Sequence, residues 1–367
     1  MKRLRWAGLF LTPALLLAFS AQAGAAKSQL NAVKTVGPVG TLAMDGSRVA
    51  YVSGGKIRIW NVATGATSVV PGKRGYANVA AEVAISGKRV AWINRRYVGN
   101  TEAGEKLYAA SLGGKPRLLD DVYRYGRDDL AVTTGGWMAG LVGTGKALAV
   151  STWRTSKGVP SAEDLSVVTP TGLRPIASGP GAMVAESAEG GHIAVLRSTV
   201  GWPNDSQMPI GPAPSVGVYS TDGALLSEIA LGAPDADATG IQIALGGSRL
   251  VVLRTELHEP SGPTTVKLEV YDWTTGKLLS TWPVAIPQYA GEIRFAIDGH
   301  LAAVEGPYRL HLVDLDTGKD VVIASSSRSD SPPAINSHGL VYAVNKHYNG
   351  PGKLVFVPTA RLLALAS

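Results

Sequence analysis

Seven times between residue 41 and the C-terminus, a glycine-bearing turn is followed by a short apolar run. The plainest copy is Thr41 to Val70, where Gly46 precedes Arg48-Val49-Ala50-Tyr51-Val52. The other copies are anchored at Gly87, Gly145, Gly191, Gly247, Gly299 and Gly339, at spacings of 41, 58, 46, 56, 52 and 40 residues. A third run follows, as in Ile57-Arg58-Ile59-Trp60-Asn61 or Leu268-Glu269-Val270-Tyr271-Asp272, then a Gly turn and a short fourth run such as Arg117-Leu118-Leu119. The runs are rich in Val, Ile, Leu and Tyr, and the turns carry Gly, Asp and Asn, which is strand-and-hairpin chemistry. A unit of this size cannot bury its own apolar face and must stack on its neighbours. No segment after the N-terminal leader sustains a 3.6-residue period over a helix length.

These units predict an all-β chain: a seven-bladed β-propeller of four-stranded antiparallel blades over 41–367. A β-helix or solenoid would need shorter, more uniform coils. The segment 26–40 is expected to be a linker or a closing strand. Either Leu30 to Val36 or Arg361 to Ala366 could supply the outer strand of the last blade and close the ring without an exposed sheet edge.

The unit Gly87 to Leu119, with Val90-Ala91-Trp92-Ile93, Leu107-Tyr108 and Leu112-Gly113-Gly114-Lys115-Pro116-Arg117-Leu118-Leu119, resembles the TolB-like propeller repeat. The stretch Ile57 to Gly65 resembles a WD-repeat third strand, but the Gly-His dipeptide of that repeat is absent from its usual place. The resemblance is therefore to the TolB-like side and spans Thr41 to the C-terminus. It implies a bacterial propeller with a habit of protein–protein contact, and no particular activity.

Residues 1–25 read as a secretory signal peptide. Lys2, Arg3 and Arg5 precede an apolar run from Trp6 to Phe19, and Ala21-Gln22-Ala23 is a small-x-small cleavage signal. The run is shorter than the ~20 residues that span a bilayer. Export to a secreted or periplasmic location is expected, with no membrane span after cleavage. Three of the 35 Lys and Arg lie in the leader, leaving 32 against 28 Asp and Glu. That mild balance does not indicate a nucleic-acid partner. The chain has no Cys, which excludes disulfides, thiolate metal sites and Cys nucleophiles.

Catalytic and cofactor signatures do not survive their context. Gly140 to Lys146 has phosphate-loop spacing, but Ala147 stands where a Ser or Thr would bind Mg²⁺, and a strand follows instead of a helix. Asp272 to Trp282 resembles the tryptophan-docking motif of pyrroloquinoline quinone propellers. Its Trp lies two residues too far along, so it reads as a hairpin turn with a packed aromatic. Asp314, Asp316 and Asp320 miss calcium-loop spacing and read as a solvated turn. His192, His300 and His338 recur at one turn position, a structural habit rather than a metal cluster. No catalytic residue, metal site or cofactor is expected.

The longer insertions fall after second strands, at 94–106, 153–164, 198–215, 255–265 and 346–352, and between blades at 120–136. In a propeller all of these open on one face, the usual place for binding. Arg95, Arg154, Arg197, Arg254 and Lys346 end five of the second strands, with Glu305 in the sixth unit. They are expected to ring the channel mouth, with Tyr97, Tyr125, Trp202 and Tyr348 as loop aromatics around a site for an anionic group. The competing expectation is that each Arg pairs with a nearby carboxylate such as Asp164 or Glu256. The expected function is a non-catalytic, monomeric scaffold that binds a protein or an anionic envelope component. The alternative is a lyase or hydrolase with its site in the funnel.

Overall fold

The computed structural model describes residues 31–71, 80–98, 101–123, 134–156, 159–179, 182–198, 214–232, 238–257, 264–286, 293–306, 309–325, 331–345 and 351–367. The leader lies outside them. Twenty-eight strands make seven antiparallel four-stranded sheets. Blade 1 holds β2 (Leu42–Asp45), β3 (Arg48–Ser53), β4 (Lys56–Asn61) and β5 (Thr67–Val69). Blade 2 holds β6 (Ala80–Ser86), β7 (Arg89–Val98), β8 (Thr101–Ser111) and β9 (Arg117–Tyr123). Blade 3 holds β10 (Thr134–Thr144), β11 (Ala147–Ser156), β12 (Val159–Val168) and β13 (Leu173–Gly179). Blade 4 holds β14 (Ala182–Glu189), β15 (His192–Ser198), β16 (Ser215–Ser220) and β17 (Leu225–Ala230). Blade 5 holds β18 (Ala238–Gly246), β19 (Arg249–Leu257), β20 (Thr264–Asp272) and β21 (Lys277–Val284). Blade 6 holds β22 (Arg294–Asp298), β23 (Leu301–Glu305), β24 (Arg309–Asp314) and β25 (Asp320–Ser325).

Blade 7 joins the two ends of the chain. Its order is β1 (Ala32–Val36), β28 (Gly352–Pro358), β27 (Gly339–Asn345), β26 (Ala334–Asn336). Of the two expected closures, the N-terminal strand is the one that forms, with Ala32 opposite Phe356 and Val36 opposite Gly352. Asn345 reinforces it: its side chain accepts from the Val39 N–H and donates to the Val39 carbonyl. The segment expected as the other closing strand is instead a helix, α1 (Thr359–Ala366). Leu362 and Ala366, one turn apart, bury into the core of blades 6 and 7 with Leu310, Leu312 and Leu340. That removes the C-terminal alternative for the closing strand. No helix among the described residues is long and apolar enough to cross a membrane.

The cores sit between blades. One cluster joins Val251, Leu253 and Leu268 of blade 5 to Phe295, Ala302 and Val304 of blade 6, with Trp282 packed on it. Trp282 also donates its indole N–H to the Leu315 carbonyl at 2.9 Å, so it is the packed aromatic that its context predicted. Small residues let the inner strands approach closely. Gly140 has φ +82° at a β-bulge in β10, and a Cβ there would lie 2.0 Å from the Ala185 carbonyl oxygen of the next blade. The phosphate-loop lookalike is thus the β10–β11 hairpin, and its glycine serves a blade seam.

Gly140→Ala therefore meets both a left-handed backbone and a wall. It should cost about 3 kcal/mol, whereas Gly145→Ala, with φ +58° and open space around it, should cost about 1 kcal/mol. Thermal or urea unfolding of the two variants beside the parent checks the difference, and equal losses would remove the seam contact as the cause.

Candidate functional site: the channel and its rim

The inner strands β2, β6, β10, β14, β18, β22 and β26 surround a channel of about 940 Å³. The turns between first and second and between third and fourth strands lie at one end, the turn face. The connections between second and third strands, and between blades, lie at the other end, the rim face.

An inner strand pairs on one side only, so its other row of N–H groups needs acceptors. The preceding blade supplies them. Glu82 Oε2 accepts from the Leu141 N–H at 2.5 Å, and Glu186 Oε2 accepts from the Ile243 N–H at 2.7 Å. Glu105 reaches the Met138 N–H at 2.5 Å, and Glu163 reaches that of Met183. Ser151 accepts from Ala185, Ser187 from Leu245, and Glu189 from Gly247 at 2.6 Å. Asp45 spans two seams, accepting from Gly87 at 2.5 Å and Gly145 at 2.7 Å.

Burial strips water from four of the channel carboxyls and raises their pKa values. Glu186 goes up to about 8, through burial opposed by its bond from Ile243. Glu82 is also raised by burial, which outweighs the bond from Leu141 and the charge of Arg95. Glu189 and Asp298 are raised by burial at the turn-face end.

Arg95 is exposed and lines the channel. Arg154, Arg197 and Arg254 are not among the residues that line it, and each meets a carboxylate instead. Arg154 lies 3.4 Å from Asp120 of blade 2 and 3.7 Å from Asp164 of its own blade. Arg197 meets Glu228 of the outer strand β17 at 2.6 Å. Arg254 meets Glu269 at 2.8 Å and donates to the Leu231 carbonyl of blade 4 at 2.5 Å. Tyr271 completes that network by donating to Glu269 at 3.0 Å, and burial with the nearby Glu269 charge pushes its phenol to about 12. The physical reason is register. Arg197 and Arg254 stand five residues beyond His192 and Arg249, Arg95 six beyond Arg89, and Arg154 seven beyond Ala147, although those four starting residues occupy equivalent ladder positions. A one-residue offset turns a strand side chain to the opposite face.

Lys346, Tyr125, Trp202 and Tyr348 lie outside the described residues. Tyr97 belongs to β7 by its backbone, and its side chain also lies outside them. Glu305 is almost fully buried and sits opposite Arg294 in the β22–β23 ladder. Arg294 is a channel-lining cation that the sequence reading missed because it lies on a first strand, not a second. The channel carboxyls were missed too. Their sequence signal is Ala81-Glu82-Val83-Ala84 repeated as Ala185-Glu186-Ser187-Ala188, each beside a β-bulge.

The insertions are strands more than loops. β7 and β8 run for 10 and 11 residues, and β11 and β12 for 10 each, against 6 each for β3 and β4 of blade 1. Blades 2 and 3 therefore raise hairpins above the rim, and blade 5 does so to a lesser degree with 9-residue β19 and β20. Among the described residues no group of three or more His, Asp or Glu is placed to hold a metal. Asp314 accepts from the Asp316 and Thr317 N–H groups, as expected of a solvated turn. His192 packs on Trp273 with ring centres 5.0 Å apart.

No protein-family model matches this chain, and no curated protein matches it. Solved structures do. A chain of a mitotic checkpoint complex aligns over 89% of this chain and 91% of its own length, with TM-score 0.51 and 10% identity. The Dos1 propeller aligns over 88% and 78% with TM-score 0.44 and 10% identity. The acylaminoacyl peptidase of Pyrococcus horikoshii aligns over 78% of this chain at 15% identity with TM-score 0.46, and this chain spans only 45% of that protein's length. At these identities the likeness is one of fold: a β-propeller.

Two outcomes follow for the site residues. Arg254→Ala leaves Glu269 half-enclosed beside Tyr271 and should cost about 3 kcal/mol. Arg197→Ala, whose pair is 35% and 47% exposed, should cost about 0.5 kcal/mol in a urea titration. For Glu186, the folded pKa of about 8 exceeds the ordinary value of 4.5, so the native state keeps a proton that the unfolded chain releases. Stability should then fall as pH rises from about 4.5 to about 8 and level off above. Glu186→Gln should flatten that fall in thermal melts across the same window, and a melt profile unchanged by the substitution would contradict the shift.

Proposed function

We propose that this chain is an exported, non-catalytic propeller of the TolB-like kind, acting in the bacterial cell envelope as a scaffold whose rim face holds a protein or an anionic envelope component. The observation that carries this reading is the asymmetry of the two ends. The hairpins of blades 2, 3 and 5 rise on the rim only, while the turn face keeps short connections throughout. Raised hairpins add contact area and free backbone edges without disturbing the seams below them.

The channel chemistry favours binding over catalysis. Glu82, Glu105, Glu163, Glu186 and Glu189 are all committed as acceptors to the next blade. A general base bound to a structural amide moves a proton only by giving up that bond. Arg154, Arg197 and Arg254 are engaged by carboxylates, while Arg95 and Arg294 line the channel on the rim side.

A photo-crosslinking residue at Thr101 or Val159, the starts of β8 and β12 beside the hairpin tips, should give discrete adducts in intact cells. The same residue at Thr274, in a turn-face loop, should give none. Adducts from Thr274 alone would sink the rim assignment. Terminal sequencing of the chain from the envelope fraction should begin after Ala23 or Ala25, and a cytosolic chain with Met1 retained would sink export.

A further inference from the structure

The turn face is electrically divided, and the division follows the blades. The turns of blades 2 and 3 are Ser86–Arg89, Ser111–Arg117, Thr144–Ala147 and Val168–Arg174. They contain Lys88, Arg89, Lys115, Arg117, Lys146 and Arg174, and not one Asp or Glu. The turns of blades 4 and 6 carry the opposite sign, with Glu189, Asp222, Asp314 and Asp316.

Within the basic half, two arginines are occupied by seams. Arg89 donates to the Val168 carbonyl at 2.7 Å and Arg174 to the Thr221 carbonyl at 2.6 Å. Lys88, Lys115, Arg117 and Lys146 are exposed and form no ion pair among the described residues. Leu118, 44% exposed, flanks Arg117 at the edge of the patch. The turns carrying Lys88 and Lys146 join their strands through two residues each, and the Asp45 carboxylate of blade 1 accepts from the Gly87 and Gly145 N–H groups beside those lysines. Lysine is a hydrated point charge on a flexible stem, suited to a diffuse layer of anions more than to a fixed bidentate partner.

We propose that the turn face of blades 2 and 3 is a docking surface for the anionic headgroups of a lipid bilayer, with the propeller leaning on those blades and its rim turned away. The acidic turns of blades 4 and 6 are repelled and set the tilt. Attraction of this kind acts within a Debye length and weakens with salt. The inference goes beyond the rim reading and does not need it. An inert rim would leave this surface intact, and a failed lipid test would leave the rim untouched.

The test is flotation of the full chain with vesicles of phosphatidylcholine alone or mixed with phosphatidylglycerol, in rising NaCl. The chain should partition onto the mixed vesicles in preference to neutral ones, and salt should remove the preference. The variant Lys88→Gln/Lys115→Gln/Lys146→Gln should lose roughly a hundredfold in that preference, at about one ordinary polybasic contribution per lysine. Its melting temperature should not change. Lys→Arg at the same three positions should keep the preference. An unchanged preference in the Gln variant overturns the proposal. So does retention of a DNA duplex or an acidic polypeptide by a chain that ignores the mixed vesicles, which would assign the patch to a soluble polyanion.

Discussion

The one-sided pairing of the inner strands is the constraint on which the rest of this propeller depends. Each blade ends at the channel with a row of N–H groups that no strand of its own can satisfy. Leaving a buried N–H without a partner costs ~1–3 kcal/mol, and the cost recurs around the ring. The chain answers with side chains reaching forward from the preceding blade: Glu82 to Leu141, Glu105 to Met138, Glu163 to Met183, Glu186 to Ile243. The seams are therefore polar at the channel and apolar outside it, with clusters such as Val251, Leu268, Phe295 and Val304 behind the carboxyls.

That arrangement also sets the electrostatics. A carboxyl that must stand beside its neighbour's backbone is enclosed by inner-strand side chains, and enclosure favours the protonated form. Glu82, Glu186, Glu189 and Asp298 all move in that direction. A raised carboxylate pKa in a cavity is often taken as a mark of catalysis. Here the perturbation and the structural bond have one origin. The bond to a main-chain amide is the simpler use of the residue.

What was legible in the sequence is what is local. Glycine turns and period-two runs are written within each unit, so seven blades of four strands could be read from Gly46 to Gly339. What was not legible depends on register between distant segments. Arg95 and Arg197 end similar runs, yet they stand six and five residues beyond equivalent ladder positions and so face opposite sides of their strands. Polar composition made 94–106 look like a loop, but Arg95 pairs with Glu105 and Asn94 with Lys106 in a regular hairpin. Helix α1 was hidden because it is two turns long and its apolar face, Leu362 and Ala366, exists only against blades 6 and 7. The acceptor bonds join residues as far apart as Asp45 and Gly145, and no single-unit pattern encodes them.

The chain also divides labour between its two cations. Arg48, Arg89, Arg154, Arg174, Arg249 and Arg254 each reach a carbonyl or carboxylate of an adjoining blade, and Arg197 reaches the outer strand of its own. The planar fork suits fixed acceptors across a seam, where one side chain must meet a set geometry. Lys88, Lys115 and Lys146 are not used this way. A count of basic residues at strand ends therefore says little about a ligand, because Arg154, Arg197 and Arg254 in that count are structural by their reach. Charge that remains exposed after the seams are satisfied is the better guide to a surface that meets something else, and the turn face of blades 2 and 3 carries four such residues, Lys88, Lys115, Arg117 and Lys146.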